Sequence, residues 1–443
     1  MALPSSSFER TVEAAESASK SDAERLKRRE PLGTVYIGLI LFMVAYFARP
    51  EDWTPGLAAV PLAKITGVMI VFALLFSFNT IRWHMPQEVF FLTLLILQLW
   101  LTVPFSTVWR GGAFNMMLYF SKVLPLIIVM YAAVRSMKRF RWMLVVQGAS
   151  IASIAIASIF VAKADGRLQG IAVAYGNSND FALVVVLSLP LCLALALTSG
   201  NIWKKLAWTV AMFLMVYASI LTGSRGGAIA LAVIILVCLW HLALKGRRFY
   251  LLTLIPLAVM IAWLYGGDSL RTRLEQTNTT RATDNRSAEA SASAQQRKEL
   301  LLQSLRVTAQ HPLFGVGPGN FPIVSGVWRA THNSYTQMSS EGGIPALFLY
   351  LLIFWRSIAN LREVRQCRKA SKQIQLFSMA LEASLAGFLV GSFFTSIAYQ
   401  LFPYCFVAYT GILRLIVKRA QAFSSRVASP QANSTEVGEL IWN

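Results

Sequence analysis

Long apolar runs alternate with short polar breaks along most of the chain. The runs cover 33–48, 57–78, 86–104, 113–134, 142–162, 178–198, 203–222, 226–244, 249–266, 333–355, 375–397 and 400–417. Each approaches the roughly 20 residues that carry an α-helix across a bilayer. The runs are continuous, whereas a membrane barrel would alternate apolar and polar positions, so a barrel is excluded. The pattern predicts an all-α, polytopic integral membrane protein with about 12 transmembrane helices.

The breaks divide into two kinds. "RSMKRFR" (Arg135–Arg141), "WKK" (Trp203–Lys205), "KGRR" (Lys245–Arg248), "RSIANLREVRQCRKASK" (Arg356–Lys372) and "RLIVKRA" (Arg414–Ala420) are basic. The alternate breaks, around Arg49, Arg110, Lys163 and Arg225, carry one or two basic residues each. By the positive-inside rule the first set is cytoplasmic, and both termini are expected there too. The expected organisation is a disordered cytoplasmic tail at 1–30, helices at 31–266, a long outer loop at 267–332, helices at 333–417 and a cytoplasmic tail at 418–443.

Composition agrees with this reading. Hydrophobic residues make up 56% of the 443 and charged residues only 14%, against about a quarter charged in soluble proteins. The net charge of +20 would suggest nucleic acid in a soluble protein. Here it follows from the basic inner breaks, so no nucleic-acid partner is expected and membrane lipids are. Cys192, Cys238, Cys367 and Cys405 lie in or near runs or in a basic break, which predicts no structural disulfide.

The outer loop has two parts. "TNTTRATDNRSAEASASAQQ" (Thr277–Gln296) is poor in apolar residues and is expected to be flexible. "RKELLLQSLRVTAQHP" (Arg297–Pro312) predicts an amphipathic helix with Leu301, Leu305 and Thr308 on one face. A Gly/Pro turn cluster, "LFGVGPGNFP" (Leu313–Pro322), follows it.

Four polar constellations sit at outer ends of runs. In "THNSYTQMSSEGGIPALFLYLLIF" (Thr331–Phe354), Asn333, Gln337 and Glu341 recur every fourth residue and form one stripe. Such a stripe avoids lipid and faces the bundle or a wet cavity. Pro345 leaves the Glu341 carbonyl without its helical donor, which predicts a kink there, loosened by Gly342 and Gly343. The bland alternative is a helix start with Thr331 or Asn333 as its cap. In "LTGSRGGAIALAV" (Leu221–Val233), Arg225 stands among glycines. Its fork of donors suits phosphate oxygens, while a snorkelling arginine on lipid phosphate is the plain alternative. Arg297 opens the loop helix, and "HPLFGVGPGNF" (His311–Phe321) reads as a tight turn and not a nucleotide loop, since no strand precedes it. "YGNSND" (Tyr175–Asp180) holds Asn179 at a helix start, where a cap is the simplest role. The four histidines, His84, His241, His311 and His332, show no metal-ligand spacing, and no metal or cofactor is expected.

Together these segments resemble the O-antigen ligase and O-antigen polymerase superfamily of bacterial polyprenyl-diphosphate-dependent glycan ligases. "YGNSNDFA" is similar to its G-N-x-N-x-x-A segment and "TGSRGG" to its S-R-G segment. Arg297 lies fourteen residues before the His of "HPLFGVGPGNF", the family's spacing, and "HNSYTQMSSEGGIPA" is similar to its H-N-x7-E-x-G signature. The resemblance covers roughly residues 165–400. The family's aromatic after the loop arginine is replaced by Leu301 and Leu302. "YFARPEDW" (Tyr46–Trp53) is similar to a segment of the exosortase-associated O-glycosylation ligases.

The resemblance implies a C-type glycosyltransferase-like fold. It also implies a polyprenyl (undecaprenyl) diphosphate glycan donor, a glycolipid, glycan or protein acceptor, and no metal. It places the protein in the bacterial inner membrane with its site facing the periplasm. His332, Arg225 and Arg297 are then the expected catalytic residues, with Arg225, Arg297, Asn179, Asn333 and Glu341 binding substrate. Arginines suit a diphosphate leaving group, and a rim histidine suits a hydroxyl acceptor that must lose its proton. Polymerases and protein glycosylation ligases of the same fold are compatible with these residues. A secondary transporter is a remoter alternative. It would use midplane charges such as Lys64, Lys122 or Glu382 in matched repeats, and no such repeat is evident.

Overall fold

The computed structural model describes residues 32–54, 56–77, 85–106, 108–161, 163–164, 167–172, 175–244, 285–326, 328–367 and 370–427. The predicted span 249–266, the tail 1–30, loop residues 267–284 and His84 lie outside them.

Among the described residues the regular structure is helical except for one pair of two-residue strands. In order it runs α1 (Gly33–Phe47), α2 (Pro50–Trp53), α3 (Leu62–Phe76), α4 (Gln87–Thr102), α5 (Arg110–Phe120), α6 (Val123–Ala133) and α7 (Met137–Val161). Strands β1 (Lys163–Ala164) and β2 (Arg167–Leu168) pair antiparallel. Then come α8 (Ser178–Leu197), α9 (Ile202–Leu221), α10 (Arg225–Leu239), a π turn (Trp240–Leu244), α11 (Asn285–Gln310) and α12 (Phe321–Val324). The last three are α13 (Ser334–Gln366), α14 (Lys372–Gly391) and α15 (Leu401–Val427). Among the described residues nine helical segments are long and apolar enough to cross a membrane, and α3 and α4 are shorter apolar helices. The protein is therefore an all-α polytopic membrane protein.

Helix starts follow local capping chemistry. Asn177, Asn201, Ser224, Asn333 and Ser371 each accept a backbone N–H from the first turn of the helix they precede. Position in the bundle follows from what each face carries. Helix α8 is apolar all round and buried along most of its length, and α7, α9, α10 and α14 pack around it. Small residues permit the closest approaches: a side chain at Gly227 would meet Ala182, and one at Gly391 would meet Leu183. At the periphery α9 exposes Leu206, Val210 and Phe213, a lipid-facing stripe.

Three expectations are corrected by packing. Helix α11 begins at Asn285, inside the stretch expected to be flexible. Its buried side is Leu300, Ser304 and Val307, while Leu305 is 49% exposed, because α11 lies against α13 on that side. The run read as 375–397 stops at Gly391, and Ser392–Gln400 form a non-helical connection. Finally, the last helix continues past 417 to Val427.

Candidate functional site

The site is assembled around a broken helix. Within α13, Gly343 has φ 80° and ψ 175°, so the helical ladder is interrupted there and not at Pro345 itself. A break leaves backbone groups without helical partners, and buried ones must be satisfied elsewhere. The turn after α11 supplies them. Val316 N donates to Ser340 O at 2.9 Å and Gly317 N to Glu341 O at 3.0 Å, while Ile344 N donates to Pro312 O at 2.7 Å. From α4, Gln98 Nε2 donates to Leu313 O at 2.9 Å and to Gly342 O at 3.3 Å. The Gly/Pro cluster thus splices an outer turn into the gap in α13.

Two glycines make the splice sterically possible. Gly315 has φ 61°, and a Cβ there would lie 2.4 Å from the Glu341 carbonyl carbon. Gly343 is also left-handed, and its Cβ would lie 2.3 Å from Leu313 O. Real side chains are excluded at both distances, and left-handed backbone costs a non-glycine residue about 1 kcal/mol or more.

The buried stripe of α13 has a structural share in this. Glu341 is 2% exposed, and its carboxylate accepts from Gly319 N at 2.9 Å. Asn333 is buried, and its Oδ1 accepts from Tyr335 N and Thr336 N as the helix cap. Both side chains, expected at the substrate, are thus engaged by the protein's own backbone through one oxygen each. Gln337 completes the buried stripe, with no partner on its Oε1.

Above the break, the rim residues converge. His332 precedes the α13 cap and has φ 52°, a strained value for a non-glycine residue. Burial, and then the charges of Arg297 on α11 and the nearby Arg329, hold its imidazole below the ordinary histidine value. The Arg297 charge also reaches Asp180 in the first turn of α8. A tether from Arg329 to Gln296 ties the segment before His332 to α11 beside Arg297.

Arg225 is the first residue of α10, behind the Ser224 cap. Two links join its turn to the rest. Arg167 on β2 donates from Nε to Thr222 O at 2.8 Å and from Nη2 to Asn179 Oδ1 at 3.1 Å. It therefore connects "LTGSR" to "YGNSND". The connection after α14 provides the second link. Ser334 N donates to Ser392 O at 2.8 Å, Ser334 Oγ donates to Thr395 O at 2.7 Å, and Thr331 and Ser396 share a hydroxyl contact at 3.1 Å. A Cβ on Gly226 would lie 2.7 Å from Phe394 Cβ, so the same connection touches α10 one residue after Arg225.

The structure thus places the Arg297 charge on His332, ties Asn179 to the Arg225 turn, and gives Glu341 and Asn333 backbone partners. Arg167, Gln98 and the Ser392–Ile397 connection carry no spacing or motif that marks them in sequence. At the other end of the bundle, Glu382 pairs with His241 at 3.0 Å and with Arg365, and Lys64 and Lys122 are exposed. Among the described residues no three His, Cys, Asp or Glu side chains are grouped to hold a metal ion.

Fold and site define a multi-pass helical membrane protein with a polar candidate site around a helix broken inside the bundle. Residues 210–351 match the family model Wzy_C, described as O-Antigen ligase, a segment that holds Arg225, Arg297, His332 and Glu341. The match covers 142 of the 443 residues, and that segment is similar to the O-antigen ligase family. No curated protein matches the sequence.

Proposed function

We propose that the protein transfers a glycan from a polyprenyl diphosphate carrier to an acceptor hydroxyl, in the manner of an O-antigen ligase. The observation that carries this reading is the coupling of His332 to Arg297, a base and a phosphate-binding cation at one rim. In the proposed step the acceptor oxygen attacks the anomeric carbon while the bond from that carbon to the diphosphate oxygen breaks. The electron pair leaves with the diphosphate, and the acceptor proton passes to His332. Attack from the face opposite the leaving group inverts the anomeric centre. Arg225 and Arg297 bind the diphosphate and stabilise the charge that develops on it. Asn179 contributes at the donor side through its place beside the Arg225 turn.

Burial, and then the charges of Arg297 and Arg329, favour the neutral imidazole of His332, the form a base needs. Its imidazolium forms as the diphosphate gains charge, and the two changes offset each other. The chemistry as written uses protein side chains alone. On the charge pattern of the breaks, the site faces the periplasm of a bacterial inner membrane, with both termini cytoplasmic. The acceptor is lipid A–core or another envelope hydroxyl.

Complementation of hosts lacking a ligase or a polymerase, read on the surface glycan ladder, tests this reading. Restored capping of lipid A–core is expected, and restored chain lengthening alone would replace ligation with polymerisation. His332→Ala and Arg225→Ala are expected to abolish the ladder at unchanged protein level, and wild-type ladders in both would refute the assignment. Activity is expected to survive chelation of divalent ions.

A further inference from the structure

The end of the bundle opposite His332 carries a second gathering of cations. Two carboxylates there have partners within the bundle. Glu363 is shared by Arg356 Nη2 at 2.7 Å, Arg414 Nε at 2.6 Å and Lys418 Nζ at 3.1 Å. Glu88 is 1% exposed and accepts from Tyr131 Oη at 2.5 Å and Asn360 Nδ2 at 3.1 Å.

Beside them lie three arginines from different elements. Helix α15 packs against α6 and α7, and the charge of its Arg419 reaches Arg135 at the α6–α7 corner. At that corner Arg135 Nε donates to Ala132 O at 3.0 Å and Arg139 Nη1 to Ala133 O at 2.7 Å. Both guanidiniums therefore converge on the last two carbonyls of α6, the negative end of its dipole. Arg139 is 6% exposed and stands 4.9 Å above the Tyr36 ring. Arg135 is held below the ordinary arginine value by burial and by the Arg419 and Arg139 charges. Among the described residues no ion pair joins Arg135 or Arg419 to a carboxylate.

Partly buried like charges repel and lose hydration, a cost that an anion set among them removes. Depth identifies the anion. Arg135 lies two residues beyond the span that ends at Ala133, and Arg419 three residues before the end of the span closing at Ala422. Both stand where lipid headgroups meet the bundle. A guanidinium offers five donors, and Arg135 uses Nε on Ala132, which leaves its Nη pair as a fork suited to phosphate oxygens. We propose that Arg135, Arg139 and Arg419 form a site for the phosphate of an anionic membrane lipid at the α6–α7 corner. Basic pockets between helices are an established way of holding such headgroups.

The test is native mass spectrometry of the full-length protein in detergent, titrated with palmitoyl-oleoyl phosphatidylglycerol or phosphatidylcholine. The first phosphatidylglycerol is expected to bind about tenfold tighter than phosphatidylcholine. The double variant Arg135→Gln/Arg419→Gln is expected to lose that preference, and Arg135→Lys/Arg419→Lys to keep most of it. Lys204→Gln, an exposed charge on another helix, is expected to leave it intact. If the double glutamine variant does not fold, Arg135→Gln alone is read, with a several-fold loss expected. Equal affinity for the two lipids in the wild type, or an equal loss in Lys204→Gln, would overturn the proposal. Displacement of phosphatidylglycerol by equimolar inorganic phosphate would overturn the lipid as the ligand.

Discussion

The carboxylate of Glu341 accepts a hydrogen bond from the backbone amide of Gly319, 2.9 Å away across the splice between α13 and the outer turn. The bond joins the broken helix to the turn that fills its break. It also explains how a carboxylate survives at 2% exposure: it is held by a fixed N–H donor. Glu341→Ala is expected to lower stability by about 1–3 kcal/mol, the cost of a lost buried charged hydrogen bond. Glu341→Gln keeps an acceptor oxygen and is expected to lose less. Thermal unfolding of the detergent-solubilised protein measures both, and an unchanged midpoint in Glu341→Ala would remove the residue from this role.

The glycines of the splice give a graded series. A Cβ at Gly315 or Gly343 meets backbone atoms at 2.4 Å and 2.3 Å, and both residues are left-handed. Gly326 is also left-handed, at φ 70°, but nothing lies within 4 Å of its Cβ position. Gly315→Ala and Gly343→Ala are therefore expected to destabilise strongly, and Gly326→Ala by about 1 kcal/mol from strain alone. Comparable unfolding midpoints in all three variants would contradict the splice.

The His332 environment sets a pH dependence. Its folded-state value lies below the unfolded one, so the neutral form is favoured in the fold and its stabilising share is lost as pH falls below about 6.5. Transfer activity that needs the neutral imidazole is expected to hold at neutral pH and to decline on an acid limb below that value. Arg329→Gln removes one of the charges responsible and is expected to move the limb upward. A pH–rate profile with a lipid-linked donor shows the shift, and a limb that stays put would separate Arg329 from His332.

Arg167 is a positioning residue for the Arg225 turn. Its bonds to Thr222 O and Asn179 Oδ1 hold two outer segments in register. Arg167→Ala is expected to reduce transfer about tenfold or more, on the scale of misplacing a binding group. Arg167→Lys cannot reproduce the fork and is expected to recover little. Because Asn179 acts through the same bond, Asn179→Ala combined with Arg167→Ala is expected to cost less than the two losses added. Additive losses would show that the residues act separately.

The chain by itself determined what local physics controls. Apolar runs must be helical in lipid, so the described helices able to cross a membrane lie where the hydropathy rises. Asn177, Ser224 and Asn333 cap because a short polar side chain before an apolar run satisfies the first free amides. The residue types at the rim, His332, Arg225 and Arg297, also stand out because charge is scarce in this composition.

Tertiary structure alone decided the partnerships. Pro345 marks a weak point in α13, but the break settles at Gly343 because only there does an incoming turn satisfy both sides. Glu341 and Asn333 lie on the predicted stripe, yet the backbone amides that engage them come into view only in the fold. The buried side of α11 differs from the expected one because α13 packs against it from a direction its own periodicity does not encode. Arg167 joins two segments with no signal in either. Capping and span length depend on neighbours a few residues away, whereas these bonds depend on where distant segments meet.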